Sequence, residues 1–264
     1  MTPGSKRVIA LLLSFAAISA ALLWKHRGAA SPPEGRPLMV AYGDDIAGVL
    51  VQKALEDLPT RRTELDSINL GDCCGSNAQF ALSTGQVDVA VLCPDAVTDL
   101  AEAGKQYAVL GELVYDGNVL VTRPDSPETF RVIGYMNGRE EQQLLLEQVY
   151  GESVDLQPMF ASALPYALEN RAVDAIMLDA ALAAKLSYPA QTISSGQVTS
   201  VVIVQKALLE DPRLEQLRAA CNQTVHALED ADTLVEMLCE YLETDEKEEV
   251  SAFWKTVTVR FGSL

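Results

Sequence analysis

Apolar positions along the chain alternate between the period of a strand and the period of a helix. Leu38-Met39-Val40-Ala41-Tyr42 is a short β-type run, Gly43-Asp44-Asp45 turns it, and Ile46, Val49, Leu50 and Leu55 then recur at helical spacing. The pattern predicts a second strand over 63–70, a helix from Ser76 to Gly85, and an apolar strand over 87–92 that stops at Cys93-Pro94-Asp95. A helix over 95–103 and strands over 107–114 and 118–122 follow. Strands and helices of these lengths in alternation predict a doubly wound parallel α/β sheet.

After Arg123-Pro124-Asp125-Ser126-Pro127, which has the composition of a crossover, the pattern restarts. Val132-Ile133-Gly134-Tyr135 echoes Met39-Val40-Ala41-Tyr42, and the segment 167–176, with Val173-Asp174-Ala175-Ile176, echoes 81–90, with Val87-Asp88-Val89-Ala90. Both echoes keep their order, so the expected architecture is two α/β lobes with a cleft between them. The β-branched run 197–204 suits the return crossover, and helices over 207–222, 223–242 and 247–256 are expected to pack back on the first lobe. The resulting division is 1–36 as leader and tether, 37–127 with 205–264 as lobe I, and 128–204 as lobe II.

In doubly wound sheets ligands sit at the carboxyl ends of the strands. That rule selects Tyr42, Gly43, Asp44, Ser76, Asp95, Tyr135, Asn137, Phe160 and Asp179 as residues bordering the cleft. The least ordinary chemistry is Asp72-Cys73-Cys74-Gly75-Ser76, between the second strand and the following helix. Gly75 permits close backbone approach, Ser76 is a suitable N-cap, and amides at a helix start favour thiolates. Cys73 and Cys74 are therefore candidate soft-metal ligands, with Cys93 as a third if strands two and three end side by side. Buried cysteine is also a small hydrophobe, and Cys93 reads equally well as a strand-end core residue. With His26 and His226 as the only histidines, the sequence argues against a histidine-based zinc site.

Composition narrows the compartment and the partners. Lys6 and Arg7 precede an uncharged apolar run over 8–24, and Lys25, His26 and Arg27 follow it, the pattern of an export signal or, with that basic cluster before any small-residue cleavage site, a retained membrane anchor. Pro32, Pro33 and Pro37 make the next segment a stiff tether. The 264-residue chain is 48% hydrophobic with a net charge of −17, concentrated in part over 229–249, and this acidity argues against nucleic acid as a partner. Five cysteines leave at least one thiol without a disulfide partner in the same chain. Cys221 and Cys239 fall in the late helices, where a disulfide and plain core burial are both open.

The words at 81–90, 132–135 and 167–176 resemble the type II periplasmic solute-binding proteins of ABC importers, nearest the branch serving nitrate, aliphatic sulfonates and thiamine precursors. The resemblance covers about residues 37–220. Asp72-Cys73-Cys74-Gly75-Ser76 is similar to a branch with a Cys-Cys or selenocysteine-Cys pair in this loop, associated with organometal handling. The resemblance implies an extracytoplasmic receptor, monomeric, partnered with an ABC permease and needing no cofactor, that binds a thiophilic metal or organometal. The competing expectation is the same receptor for a small anion or heterocycle with incidental cysteines. A thiol enzyme ranks below both, because a vicinal pair lacks the Cys-x-x-Cys spacing and His226 alone would have to serve as base.

Overall fold

The computed structural model describes residues 35–59, 64–71, 81–82, 84–102, 104 and 106–264. The apolar leader and Asp72, Cys73, Cys74, Gly75 and Ser76 lie outside the described residues. No helix among the described residues is long and apolar enough to cross a membrane.

The first strand, β1 (Leu38–Tyr42), runs parallel to β2 (Leu65–Asn69) and β3 (Val89–Leu92) on its two sides. Between β1 and β2 lies α1 (Ile46–Glu56), whose Ile46, Val49, Leu50 and Leu55 are all buried, as the helical stripe requires. Asp45 caps α1, its Oδ1 accepting from Gly48 N at 2.7 Å. The turn between them is so tight that a Cβ on Gly48 would stand 1.8 Å from the Gly43 carbonyl oxygen. After β3 come α2 (Pro94–Glu102) and β4 (Tyr107–Tyr115).

The second half repeats this plan. Strand β5 (Asn118–Thr122) leads to β6 (Val132–Met136), α3 (Glu140–Tyr150), β7 (Asp155–Met159), a 3-10 turn Ala161–Ala163, α4 (Leu164–Glu169), β8 (Ala175–Asp179), α5 (Ala180–Ala183) and β9 (Ala190–Gln191). Strand β6 runs parallel to both β7 and β8. The recurring Asp has the same job in both halves. Asp88 Oδ2 accepts from Met39 N at 2.8 Å while Asp88 N donates to Met39 O; Asp174 Oδ2 accepts from Val132 N at 3.2 Å while Asp174 N donates to Val132 O.

Among the described residues there are two sheets, ordered β11-β4-β10-β3-β1-β2 and β7-β6-β8-β5-β9, where β10 is Val198–Gln205 and β11 is Arg260–Phe261. The connections differ from the expected positions. Strand β5 already belongs to the second sheet, antiparallel to β8, so the chain leaves the first sheet at Asp116-Gly117 and not at 123–128. Strand β10 is no crossover: it lies in the first sheet, antiparallel to both β3 and β4, and the return falls before Val198. The Pro-rich segment folds back on its own sheet instead, with the Arg123 guanidinium donating to the carbonyls of Leu168 and Val173.

The remaining helices are α6 (Arg213–Ala227), α7 (Ala231–Leu242) and α8 (Lys247–Trp254). Leu214, Leu217 and Cys221 of α6 and Leu234, Leu238 and Cys239 of α7 share one core cluster with Leu50 and Leu55 of α1, which places these helices on the first sheet. The break between α6 and α7 falls at Leu228–Asp230, later than the expected 222–223, because Asp230 accepts from Thr233 N and caps α7. Cys221 and Cys239 are buried free thiols, not a disulfide. Burial pushes the Cys221 thiol up to about 12 and raises Cys239 as well.

Candidate functional site

A cavity of about 430 Å³ opens between the two sheets at the carboxyl ends of their strands. Asp44, Asp45 and Gly71 line it from the first half; Met136, Arg139, Phe160, Leu178, Asp179 and Lys185 are among its walls from the second. The floor is charged and the wall apolar, the usual construction of a small-molecule cleft.

The first-half loops are pinned by hydrogen bonds across the ends of β1 and β2. Asp44 N donates to Gly71 O at 2.7 Å, and Asp44 Oδ1 accepts from Asn69 Nδ2 at 2.7 Å and from the Tyr241 hydroxyl at 3.4 Å. The Tyr241 phenol is pushed up, first by burial and then by the carboxylates of Asp44, Asp45 and Asp179, so these three acids act on one spot. Lys185 Nζ lies 5.5 Å from the Tyr241 ring centroid and supplies an opposing charge.

Asp179 joins the halves. It ends β8, caps α5 by accepting from Ala181 N at 2.8 Å, and with the same Oδ1 accepts from Ile46 N, the first residue of α1, also at 2.8 Å. Burial, then the neighbouring Asp45, push its carboxyl up to about 8, against the pull of the two amides and of Arg139. A second link runs the other way: Asp95, in the first turn of α2, accepts from Glu141 N of α3 at 3.1 Å. Half-burial raises the Asp95 carboxyl, opposed by that amide and by Arg139.

Among the residues selected by the strand-end rule, Asp44, Phe160 and Asp179 line the cavity, Phe160 being 74% exposed at its rim. Asp95 stands at the junction of the halves through Glu141. Tyr42 and Tyr135 turn into their lobes' cores, where the Tyr135 hydroxyl donates to Gln143 Oε1. Gly43 serves the turn against Gly48, and Asn137 is exposed, its N donating to Met159 O. Cys93 is 1% exposed, packed beside Leu92 and Ala96, and disulfide-bonded, its partner lying outside the described residues. Sequence reasoning missed Asp45 and Arg139. Both are N-cap positions of corresponding helices, α1 and α3, and that shared position is the signal that could have found them. Among the described residues no group of three or more His, Cys, Asp or Glu is arranged to hold a metal ion.

No protein-family model matches the chain, and no curated protein matches it. Solved structures do. One is the ligand-binding component of an ABC-type import system from Staphylococcus aureus with zinc bound: TM-score 0.66, 11% identity, covering 87% of this chain and 86% of that one. Another is the alkanesulfonate-binding protein of Xanthomonas axonopodis bound to MOPS: TM-score 0.66, 16% identity, 88% of each chain. A Candida albicans protein described as having the generic periplasmic binding protein fold aligns with TM-score 0.60 and 18% identity, over 86% of this chain and 82% of that one. The chain has the periplasmic-binding-protein fold. In this fold the cavity between the sheets is bounded by strand ends from both halves, which is how Asp45 and Arg139 come to face one space.

Proposed function

We propose that the chain is the extracytoplasmic substrate-binding component of an ABC transporter, tethered through residues 1–36, and that its substrate is a thiophilic metal or organometal captured by Cys73 and Cys74. The ABC-transporter reading is supported by the import-system and sulfonate-binding proteins that share the fold. The metal reading is carried by one observation: Gly71 lines the apolar-walled cavity only two residues before Cys73. A trans backbone advances at most about 3.8 Å per residue between Cα atoms, so the Cys pair starts within about 8 Å of that lining. Thiolates select soft cations, and the apolar wall of Met136, Leu178 and Phe160 suits an organic substituent. Cys93 is disulfide-bonded here and Cys221 and Cys239 are free, so within the chain that bond engages Cys73 or Cys74, and metal capture by the pair requires its reduction.

Native mass spectrometry of the thiol-reduced protein with Hg²⁺ or methylmercury tests this. A one-to-one complex is expected, with proton release because thiolates are the ligands. Replacing Cys73 and Cys74 together by Ser should weaken it by roughly a hundredfold or more, since a hydroxyl is a hard donor. The Cys221→Ser/Cys239→Ser protein is the control and should bind as before. Unchanged binding in the Cys73/Cys74 double variant overturns the assignment.

A further inference from the structure

We infer that Asp179 and Asp95 form a cooperative clasp between the two lobes, a conformational device that makes the parting of the lobes a single event whatever solute the cleft takes. The repeat that relates the halves also relates the two arms of the clasp. Strands β3 and β8 are equivalent, each preceded by the recurring Asp, and α1 and α3 are the first helices of their halves. At the end of β8, Asp179 Oδ1 reaches into the first half and accepts from Ile46 N, the first residue of α1, at 2.8 Å. Just past the end of β3, Asp95 Oδ1 reaches the other way and accepts from Glu141 N, in the first turn of α3, at 3.1 Å.

Each arm lies beside one passage of the chain between the sheets. Ala180 N, next to Asp179, donates to Gly117 O at 2.8 Å on the outgoing passage. Glu141 O accepts from Gln197 Nε2 at 3.4 Å on the return. In a reciprocal interface, where the same contact is made once in each direction, both copies answer to one relative movement of the two bodies. Neither arm is costly to release, because water can replace each partner, and Asp179 keeps the amide of Ala181 when Ile46 leaves. Clasped and parted lobes are therefore two exchanging states, and the loss of either arm shifts the balance felt by the other.

Amide hydrogen exchange of the solute-free full chain, read at single residues by mass spectrometry, tests this. In the unaltered protein the amides of Ile46 and Glu141 should share one protection factor, since one opening event exposes both. Asp95→Ala leaves the Asp179 arm untouched, yet should lower protection at Ile46 roughly tenfold, the weight of one hydrogen bond in an opening equilibrium. Asp95→Asn, which keeps an acceptor oxygen, should restore it. Asp179→Ala should lower protection at Glu141 in the same way. Amides inside β1 and β6, in the cores of the two lobes, are the control and should not change. Should the buried Asp179→Ala fail to fold, the half-buried Asp95→Ala still decides the matter. Unchanged protection at Ile46 in Asp95→Ala, or a fall there no larger than in the control strands, overturns the inference. No metal or other solute enters the measurement, so failure of the Cys73/Cys74 assignment leaves its result intact.

Discussion

The two halves share a plan down to single hydrogen bonds, yet differ where they face each other. Asp88 and Asp174 play one part: each precedes the strand that runs beside its half's first strand and ties the two together at the backbone. Asp45 and Arg139 also hold one position, the N-cap of the first helix, but with opposite charge. Asp45 bonds the helix it caps, whereas Arg139, which makes no capping bond, faces the cavity and draws down the carboxyls of Asp179 and Asp95. Arginine at a helix start works against the dipole. Where the halves agree, the residue serves the fold. At the caps, where they disagree, both residues line the space between them.

The comparison can be broken most sharply three residues beyond each cap. In the first half that position is Gly48, which can carry no side chain because a Cβ there would stand 1.8 Å from Gly43 O; in the second it is Gln142, whose buried amide accepts from Met136 N and donates to Asn118 Oδ1. Gly48→Ala should therefore cost about 3 kcal/mol or more, or prevent folding, by forcing the β1–α1 turn apart. Gln142→Ala should cost about 1–3 kcal/mol through two lost buried bonds. Urea unfolding of both variants gives the ranking, and equal losses would mean the turns are not so unlike.

The shared aspartates come next. Asp88 is wholly buried and Asp174 is partly exposed, so Asp88→Ala should destabilise by about 2–3 kcal/mol and Asp174→Ala by about 1 kcal/mol, both measured by the same denaturant titration. A reversed order would show that burial does not set the difference.

The most gradual effect is that of pH. Asp179 is held up to about 8, so between its unfolded value of 3.8 and about 8 the folded chain binds a proton that the unfolded chain has lost. Its contribution to stability is complete below pH 3.8 and is lost as pH rises through about 8, by no more than about 1.4 kcal/mol per pH unit. Asp179→Asn should flatten that slope across pH 5–8, and an unchanged slope in thermal melts would remove Asp179 as its source.

Much of the fold was legible because it is written in short local rules. Strand β1 and strand β5 begin and end where the apolar runs do, and the repeated Val-Asp words marked two equivalent strands. The connections were not legible, since Pro-rich composition at 123–127 signals a turn without saying to which sheet the next strand returns. Likewise the run 197–204 read as a crossover because the neighbours of β10, β3 and β4, lie about a hundred residues earlier in the chain. At the cleft, Asp44 and Asp179 followed from strand ends, but Lys185 obeys no spacing rule and Arg139 is an N-cap without a cap-forming side chain. They matter through charge brought together only by the meeting of the halves.

Asp116 gives that meeting a mechanical character. It sits at the first passage between the sheets, in a left-handed backbone conformation with φ 58°, and its carboxylate accepts from Ser194, Gly196 and Gln197 on the return passage. The Arg260 guanidinium, in β11, stands 3.6 Å from the same carboxylate. One carboxylate thus ties the outgoing and the returning passage at a single point, so the link between the sheets depends on a side chain that belongs to neither core.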